Sequence, residues 1–426
     1  MNRKSRLLTI AAVFAFLTIV AVTLIVVFVM TSSSEDGEAN LDSTKYVILV
    51  SLDGFRADYL PRFADQAPTL TKLKAGGTSA VMRPVFPTKT FPNHYSIVTG
   101  LYPESHGIVS NTMYDPVLNA TFTISNEAAV SDGRWWAGEP VWATAVRQNL
   151  TSAAYFWPGS EAEINGYRPT YWYPYNGSVA YSERVQQVLA WLDLPESERP
   201  RFICAYFDAV DTYGHNYGPN NTSMIGYAIS MVDDALAQLV KGIADRGMDD
   251  VVDLIVVADH GMTQIEQDKV IFLDDYIDVS QTIFIDYSPI VAILPISGLE
   301  DEMYNSLVGK HPNMTVYYKQ DLPERYHYIN NIRIHPIIAV TDEGFSVTTR
   351  GYYNTHTSYF VGGNHGYDNK YASMQALFIA NGPDFAEGKT LDSFPNLEIY
   401  DLICDILDLS TAPNNGTGYL IQEMDI

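Results

Sequence analysis

The sequence predicts an α/β protein with a doubly wound, mainly parallel β-sheet, helices on both faces of that sheet, and a small inserted subdomain. Continuous apolar runs of strand length alternate with amphipathic helices, as in parallel sheets that are covered on both sides. The stretch from about residue 295 to 360 is less regular, which indicates the insertion. The chain has 426 residues, 47% of them hydrophobic, so it can form a large core.

The individual elements follow from local patterns of apolar residues. Apolar runs typical of strands occur at Tyr46–Leu52, Ser152–Phe156, Arg201–Phe207, Leu254–Ala258, Ile290–Leu294 and Ala376–Ala380. Apolar residues at helical spacing predict helices at Val141–Gln148, Val179–Trp191, Met224–Arg246 and Leu397–Leu407. Because parallel strands need long crossover connections, this alternation favours a parallel sheet.

An uncharged apolar run, Leu7–Met30, lies near the N-terminus and is long enough to span a bilayer. Arg3, Lys4 and Arg6 precede it, so this flank should remain cytoplasmic and the rest of the chain should lie outside the cytosol. The alternative is a cleaved signal peptide, whose apolar region is usually shorter, about 7–15 residues. The run therefore predicts a single-pass type II membrane protein with an uncleaved signal anchor and an extracellular or lumenal main domain.

These features predict five segments. They are a cytoplasmic tail (1–6), a transmembrane signal anchor (7–30), a polar stalk (31–44), a catalytic domain (45–412) and a short polar tail (413–426).

Glycosylation sequons are frequent, as expected for an ectodomain. They begin at Asn119, Asn149, Asn176, Asn220, Asn221, Asn313 and Asn415. The two cysteines, Cys204 and Cys404, lie in apolar segments, where they could be buried thiols or form one long-range disulfide. The net charge is −24, so we expect a well-solvated surface and no nucleic-acid-binding surface.

Three predicted strands lead into acidic residues. Asp53 follows the first strand, Asp211 and His215 follow the Arg201–Phe207 strand, and Asp259-His260 follows the Leu254–Ala258 strand. Because open α/β sheets bind ligands beyond the carboxyl ends of their strands, we expect these side chains to share one site. Oxygen and nitrogen ligands without a thiolate suit zinc in a hydrolytic site.

Two further segments fit such a site. Pro92 suits the first turn of a helix, which places Thr90 at or just before a helix N-terminus that favours anions. A hydroxyl bound to zinc there would become a nucleophile, whereas without metal ligands Thr90 would be a simple helix cap. His365 lies in the glycine-rich run Gly362-Gly363-Asn364-His365-Gly366; it is either an ordinary loop residue or completes a second metal set.

The segment from Lys89 to Gly107, KTFPNHYSIVTGLYPESHG, resembles the nucleophile segment of the ectonucleotide pyrophosphatase/phosphodiesterase family, part of the alkaline phosphatase superfamily. Asp53-Gly54, Asp211…His215, Asp259-His260-Gly261 and His365-Gly366 support the resemblance in the same order along the chain. It covers about residues 45–410 and is closest to the type II, nucleotide-hydrolysing members.

The resemblance implies an alkaline-phosphatase-like fold and two zinc ions per subunit. The residues that match the ligands of one ion are Asp53, Thr90, Asp259 and His260, and those that match the other are Asp211, His215 and His365. Asn111 matches an asparagine that holds a phosphate oxygen. Phe91 and Tyr175 resemble two aromatic residues that sandwich a nucleobase, and Trp157 matches part of the same wall.

The implied activity is extracellular hydrolysis of phosphodiester and phosphoanhydride bonds, with Thr90 as the nucleophile and nucleoside 5′-monophosphates as products. Glu161 replaces the usual aspartate, and no counterpart of a base-contacting lysine occurs between Phe122 and Trp135, so the base preference stays open. The alternatives are a choline-type lipid phosphodiesterase, a phosphomonoesterase on the same scaffold, and a non-catalytic ectodomain of the same fold. The sequence does not predict the oligomeric state.

Overall fold

The computed structural model describes residues 44–424. The predicted cytoplasmic tail, the predicted anchor and nearly all of the predicted stalk lie outside the described residues. No helix between residues 44 and 424 is both long enough and apolar enough to cross a membrane.

The described residues form the following strands, numbered in chain order: β1 (Tyr46–Leu52), β2 (Thr78–Arg83), β3 (Thr112–Asp115), β4 (Ala120–Thr123), β5 (Ser152–Tyr155), β6 (Tyr171–Tyr173), β7 (Phe202–Phe207), β8 (Val252–Val257), β9 (Thr263–Ile265), β10 (Val270–Phe272), β11 (Thr282–Asp286), β12 (Ile290–Pro295), β13 (Met314–Tyr318), β14 (Ile337–Thr341), β15 (Ser346–Thr348), β16 (Gly362–Asn364), β17 (Ala376–Asn381), β18 (Lys389–Thr390) and β19 (Phe394–Pro395).

The α-helices, numbered in the same way, are α1 (Tyr59–Arg62), α2 (Pro68–Ala75), α3 (Thr90–Thr99), α4 (Pro103–His106), α5 (Glu127–Val130), α6 (Val141–Arg147), α7 (Tyr181–Leu192), α8 (Ala209–Tyr217), α9 (Thr222–Ala244), α10 (Glu300–Leu307), α11 (Arg350–Thr355), α12 (Glu398–Ile406) and α13 (Tyr419–Met424).

The central sheet has the strand order β18-β2-β17-β8-β1-β7-β5-β6, with β19 also paired to β2. Its middle strands β8, β1, β7 and β5 are parallel, whereas β17 pairs antiparallel with both β8 and β2. All residues of β1, β7 and β8 are buried, because helices cover the sheet on both faces. The predicted fold class is therefore confirmed.

The helices contact one another in two groups that flank the sheet. In one group α9 packs against α2, α7 and α8, and in the other α12 packs against α3, α6 and α13. The long helix α9 buries a face that includes Ile225, Ile229, Val232 and Leu236, which recur at helical spacing. This recurrence is the pattern that predicted the helix from the sequence.

The inserted subdomain lies between β8 and β17, which are neighbours in the central sheet. It contains a four-stranded antiparallel sheet with the order β11-β12-β14-β13 and a hydrophobic cluster of its own, built around Val291, Ile293, Leu307 and Ile337. This small sheet begins at Thr282, earlier than the irregular stretch predicted from about 295. The predicted strand Ile290–Leu294 is β12 of this sheet.

All predicted strands and helices are present, with ends that differ by at most about two residues, the usual uncertainty of such boundaries. The short strands and single-turn helices were not predicted, because they contain too few residues to show a period. Within the segment predicted as a polar tail, Tyr419–Met424 forms a helix and Leu420 is fully buried. Cys204 and Cys404 are both buried free thiols.

A buried carboxylate in β8 lies away from the strand ends described above. Asp253 is fully buried; its Oδ1 accepts a hydrogen bond from Asp384 N at 3.2 Å, while its Oδ2 has no hydrogen-bond partner. Burial, and next the nearby charge of Asp384, raise the pKa of Asp253 to about 7. Lys45 bonds Asp384 Oδ2 at 2.6 Å and so only partly compensates this charge.

The substitution Asp253→Asn should stabilise the protein at pH 8. Since the folded pKa lies above the unfolded value of about 3.9, stability is lost as the pH rises through this range, and asparagine removes that loss. We expect a gain of roughly 1–3 kcal/mol at pH 8 and little gain at pH 4, measured by thermal unfolding across pH. The exposed Asp250→Asn change serves as the control. A wild type that equals Asp253→Asn in stability at pH 8 would refute this account.

Candidate metal and nucleophile site

The acidic cluster forms because three adjacent parallel strands end at the same edge of the sheet. β1 lies between β7 and β8, and Ser51 is paired with Tyr206 on one side and Val257 on the other. Asp53 follows β1 directly, and Asp259 follows β8 by two residues. Asp211 lies in the first turn of α8, which begins two residues after β7. The predicted meeting of these three carboxylates at one sheet edge is therefore observed.

A glycine allows the segment after β1 to approach α8 closely. Gly54 has a φ of +68°, in the left-handed region that favours glycine. A Cβ atom at this position would lie 2.9 Å from the Cα of Asp211, so a larger residue would push α8 away from β1. Gly54 N also donates a hydrogen bond to Asp259 Oδ1 at 3.1 Å.

The two more distant histidines reach the cluster through packing of β16 on α8. His215 lies one helical turn after Asp211 on α8, so both side chains lie on one face. Gly362 of β16 lies against the backbone of that turn, so a Cβ atom added at this position would clash with His215 O. His365 follows β16, and its Nε2 lies 3.1 Å from His215 Nε2.

Each of the three histidines directs its Nε2 atom into the cluster. The Nδ1 atoms hydrogen bond to backbone carbonyls: that of His260 to Gly261 O at 2.8 Å, that of His215 to Gly363 O at 3.0 Å, and that of His365 to Thr88 O at 2.8 Å. Since a carbonyl only accepts, every Nδ1 must carry the proton. Such outer hydrogen bonds fix the tautomer that leaves Nε2 free to bind a metal ion.

One oxygen of each carboxylate in the cluster lacks a hydrogen-bond donor. Asp53 Oδ1, Asp211 Oδ1 and Asp259 Oδ2 are buried and make no hydrogen bond. They face histidine Nε2 atoms instead: His260 Nε2 lies 2.9 Å from Asp259 Oδ2 and 3.5 Å from Asp53 Oδ1, and His365 Nε2 lies 3.6 Å from Asp211 Oδ1. Lone pairs that face one another in this way need a cation, so the residues fit a metal site.

By proximity alone, the candidate ligand atoms fall into two groups, each with its atoms within 4.8 Å of one another. The groups are Asp211, His260 and His365, and Asp53, His94 and Asp259. This division differs from the sets implied by the family resemblance, which place His260 with Asp53 and leave His94 out. We favour leaving His94 out of the ligand sets, because both of its ring nitrogens have other contacts. Its Nδ1 lies 2.9 Å from Thr90 O and its Nε2 lies 2.8 Å from Ser51 Oγ.

The pKa shifts in the cluster also reflect its closely spaced, buried carboxylates and histidines. Burial raises the pKa of Asp53 well above its ordinary value, and the charges of Asp259 and Asp211 raise it further. Burial, and then the charges of His260 and His215, hold the pKa of His365 well below the ordinary range. Burial opposes ionisation of Asp259 as well, but the charges of His260 and His94 lower its pKa well below the ordinary value.

Thr90 is the first residue of α3, and its hydroxyl points into the cluster. Thr90 Oγ1 lies 3.3 Å from His260 Nε2, and the residue is 9% exposed. Lys89, the residue at the N-cap position, makes no side-chain cap; the amide of Phe91 donates to Asn111 instead, and Pro92 has no amide hydrogen. The hydroxyl therefore lies beside the carboxylates and histidines at a helix N-terminus, as predicted.

Asn111 lies beside Thr90 with its amide group oriented by the backbone. Phe91 N donates a hydrogen bond to Asn111 Oδ1 at 2.9 Å. Because an N–H can only donate, the side-chain oxygen must face Phe91, and the NH₂ group is directed elsewhere. The NH₂ group of Asn111 is thus a donor that a bound anion can use.

An aromatic pocket of about 310 Å³ opens beside the cluster. Phe91, Trp157 and Tyr175 all line it, together with Asp53, Asp211 and Thr90. Trp157 is buried and is held in place by a hydrogen bond from its Nε1 to His94 O at 3.2 Å. Tyr175 is 49% exposed, so its ring is accessible at the mouth of the pocket.

The structure adds Tyr206, which sequence reasoning did not identify, and gives Glu161 a contact that the sequence did not predict. Tyr206 donates a hydrogen bond from its hydroxyl to Asp53 Oδ2 at 2.5 Å and also lines the pocket. Glu161 Oε1 accepts a hydrogen bond from Tyr175 N at 2.9 Å and so fixes the segment that carries this ring. The position of Tyr206 at the carboxyl end of a strand is a sequence signal that could have identified it. The contact of Glu161 with Tyr175 depends on tertiary structure and has no such signal.

Comparisons with known proteins agree with this arrangement. A model of the family "Type I phosphodiesterase / nucleotide pyrophosphatase" matches residues 47–368. Venom phosphodiesterase of Macrovipera lebetinus is 44% identical over 381 residues, which cover 87% of this chain and 44% of that protein. Human ectonucleotide pyrophosphatase/phosphodiesterase family member 1 is 42% identical over 385 residues, covering 88% of this chain and 41% of that protein. This chain thus spans less than half the length of these relatives.

Solved structures of similar proteins have the same fold. Human ectonucleotide pyrophosphatase/phosphodiesterase 5 has a TM-score of 0.84 and 38% sequence identity, covering 89% of this chain and 99% of the other. An inactive threonine-to-alanine variant of the mouse protein, in complex with AMP, has a TM-score of 0.84 and 39% identity over the same shares of the two chains. The family model, the identities and the shared fold together show that this chain belongs to the type I phosphodiesterase/nucleotide pyrophosphatase family.

Proposed function

We propose that this protein is an extracellular nucleotide pyrophosphatase/phosphodiesterase. In this proposal it hydrolyses phosphodiester and phosphoanhydride bonds with two zinc ions and a threonine nucleophile, and it releases nucleoside 5′-monophosphates. The observation that carries the proposal is the position of Thr90 Oγ1. It lies 3.3 Å from His260 Nε2, in a cluster that opens into an aromatic pocket and whose three carboxylates each have one buried oxygen without a hydrogen-bond partner.

Zinc is the metal that fits the donor set best, and the ligands can hold two ions. The ligands offered are carboxylate oxygens, imidazole Nε2 atoms and one hydroxyl, without a thiolate, which suits zinc in a catalytic site. We propose Asp53, Thr90, Asp259 and His260 as ligands of one ion and Asp211, His215 and His365 as ligands of the other. Zinc bound there supplies Lewis-acid polarisation of the phosphoryl oxygens and lowers the pKa of a coordinated hydroxyl.

The side chains of the chain itself would divide the work as follows. Thr90 Oγ1 attacks phosphorus, the bond to the leaving oxygen breaks, and a threonine-phosphoryl intermediate forms that water then hydrolyses. Asn111 donates its amide hydrogens to a phosphate oxygen, and the dipole of α3 adds positive potential at the N-terminus of the helix. Phe91 and Tyr175 hold the nucleobase between their rings, with Trp157 as part of the wall, which fixes the phosphate relative to Thr90.

Three properties of the relatives support this assignment. The related mouse structure is a complex with AMP, which is a nucleoside 5′-monophosphate of the kind proposed as product here. The inactive form in that structure carries alanine in place of a threonine, the residue type proposed as nucleophile here. Curated relatives are named phosphodiesterases and nucleotide pyrophosphatases.

Thr90→Ala should abolish hydrolysis of a nitrophenyl ester of a nucleoside monophosphate and leave most of the metal bound. Loss of the nucleophile should lower kcat by about three orders of magnitude or more, because covalent catalysis is lost. Elemental analysis should find close to two zinc ions per chain in the wild type and only a modest decrease in the variant. Near-normal turnover would exclude Thr90 as nucleophile, and activity after exhaustive removal of metal would exclude the zinc assignment.

Phe91→Ala and Tyr175→Ala should separate base binding from phosphate chemistry. Stacking on aromatic rings is worth about 1–3 kcal/mol per base, so each change should raise KM for nucleotides roughly tenfold or more. Hydrolysis of bis-nitrophenyl phosphate, which has no base, should change much less. Trp191→Phe, a conservative change outside the pocket, is the matched aromatic control. Equal losses on both substrates would show that the rings do not hold a base.

A choline-type lipid phosphodiesterase is the second candidate, and one feature of the pocket favours it. The charged side chains among the described lining residues are all carboxylates, namely Asp53, Asp211, Glu127 and Glu161. Carboxylates and aromatic rings together bind quaternary ammonium groups. The same carboxylates can also accept hydrogen bonds from the exocyclic amine of a base. Faster turnover of choline phosphodiesters than of any nucleotide would show that the protein is a lipid phosphodiesterase.

We propose that the protein is a type II membrane protein with its catalytic domain outside the cytosol. The apolar run Leu7–Met30 with its basic flank supports the anchor, and relatives named as ectonucleotide enzymes support the location. The sequon asparagines Asn119, Asn149, Asn176, Asn220, Asn221 and Asn415 are exposed, whereas Asn313 is partly buried. The protein should stay in membranes during alkaline carbonate extraction. Full release, or a mature N-terminus beyond residue 30, would contradict an uncleaved anchor.

A further inference from the structure

A buried ion pair lies directly beside the proposed nucleophile. Lys89 Nζ donates hydrogen bonds to Asp286 Oδ2 at 2.8 Å and to Ser110 Oγ at 3.0 Å, and Ser110 Oγ donates to Asp286 Oδ2 at 2.5 Å. All three residues are buried. We call these three residues the Lys89–Ser110–Asp286 bridge.

The bridge joins three separate parts of the chain. Lys89 is bonded covalently to Thr90, and Ser110 is bonded covalently to Asn111. Asp286 is the last residue of β11 and belongs to the inserted subdomain. The bridge therefore connects the residue before the nucleophile with the residue before the phosphate-binding asparagine, and it anchors both to the insertion.

The partners of Lys89 argue against direct binding of phosphate by its ammonium group. The ammonium faces a carboxylate at 2.8 Å, so its charge is already matched. Burial of such a pair costs desolvation energy that the mutual attraction of the charges often fails to recover, so stability alone is a weak reason for its presence. What the pair does supply is directional hydrogen bonding between segments that carry Thr90 and Asn111.

We propose that Asp286 is a positioning residue for the reaction: through Lys89 and Ser110 it fixes the distance between the Thr90 hydroxyl and the Asn111 amide. The inference rests on the proposed roles of these two residues. A second connection acts in the same direction, since Phe91 N bonds Asn111 Oδ1 at 2.9 Å. The bridge joins the segments at Lys89 and Ser110, and the second contact joins them at Phe91 and Asn111. The two contacts together define the relative placement of the two segments.

The test is the steady-state kinetics of Asp286→Asn in the full chain on a nitrophenyl nucleotide. Asparagine keeps the shape and one acceptor but removes the charge that orients the ammonium group. We expect kcat to fall about 10- to 100-fold, since small errors in the placement of reacting groups have effects of that size. KM should change less than about threefold, because the aromatic pocket is untouched.

A matched control breaks another buried ion pair between the same two regions. Asp115→Asn disrupts the bond from Arg333 Nε to Asp115 Oδ2 at 2.7 Å; the two side chains are 10% and 4% exposed, against 8% and 11% for Lys89 and Asp286. Asp115 neighbours neither Thr90 nor Asn111. This variant should lose thermal stability to a similar degree but keep kcat within about threefold of wild type.

The double variant Lys89→Met with Asp286→Leu separates positioning from stability. An apolar pair of similar size should restore the melting temperature lost in Asp286→Asn, because replacement of a buried ion pair by packed apolar groups is often neutral. We expect kcat to remain low. If kcat returns together with stability, or if Asp286→Asn keeps wild-type kcat, the bridge has no positioning role.

Ser110→Ala decides the question if neither variant folds. It removes only one hydroxyl and keeps the ion pair, and it should lower kcat roughly threefold to tenfold at unchanged KM; an unchanged kcat would refute the proposal. Failure of the wild type to hydrolyse any nucleotide, or full activity of Thr90→Ala, would instead refute the proposed function.

Discussion

The site depends on one constraint: three aspartates follow three neighbouring buried strands, and among the described residues no lysine or arginine forms an ion pair with them. Like charges in a buried place raise one another's pKa and oppose ionisation, as Asp53 shows. Such an arrangement persists in a folded protein when a cation balances it. The surrounding geometry serves that purpose, because the Nδ1 atoms of His215, His260 and His365 are held by backbone carbonyls and their Nε2 atoms face the carboxylates.

The inserted subdomain, and the segment that follows it, contact the loop before Thr90. Along the chain the subdomain lies between two neighbouring strands of the central sheet, and the segment that leaves it carries His365, whose Nδ1 contacts Thr88 O in the loop before Thr90. Asp286 contacts Lys89 in the same loop. The loop that presents Thr90 is thus held from one side by the insertion and from the other by the sheet edge, which restricts the movement of the hydroxyl.

In the proposed function, the chemistry and the choice of substrate are located in different parts of the site. The carboxylates, histidines and Thr90 would act on the phosphoryl group, and the aromatic pocket would select the substrate. In that pocket Glu161 holds the backbone of Tyr175 and adds a carboxylate to a wall that already contains Glu127. A substrate that brings a flat ring with an amine, or a quaternary ammonium group, matches such a wall, and changes in the pocket can alter specificity without altering the reacting groups.

The sequence by itself determined the α/β class, the long helices and the residues at the strand ends, because these depend on local periodicity and on the rule that parallel strands end together. It also indicated that Thr90 begins a helix, because Pro92 sets the first turn. Tertiary structure decided the rest. His365 lies far along the chain from the other candidate ligands and reaches them only because two glycines let β16 pack on α8. The contacts of Asp286 with Lys89 and Ser110, and of Tyr206 with Asp53, join residues distant in sequence, and no local pattern encodes which distant side chain will satisfy a buried charge.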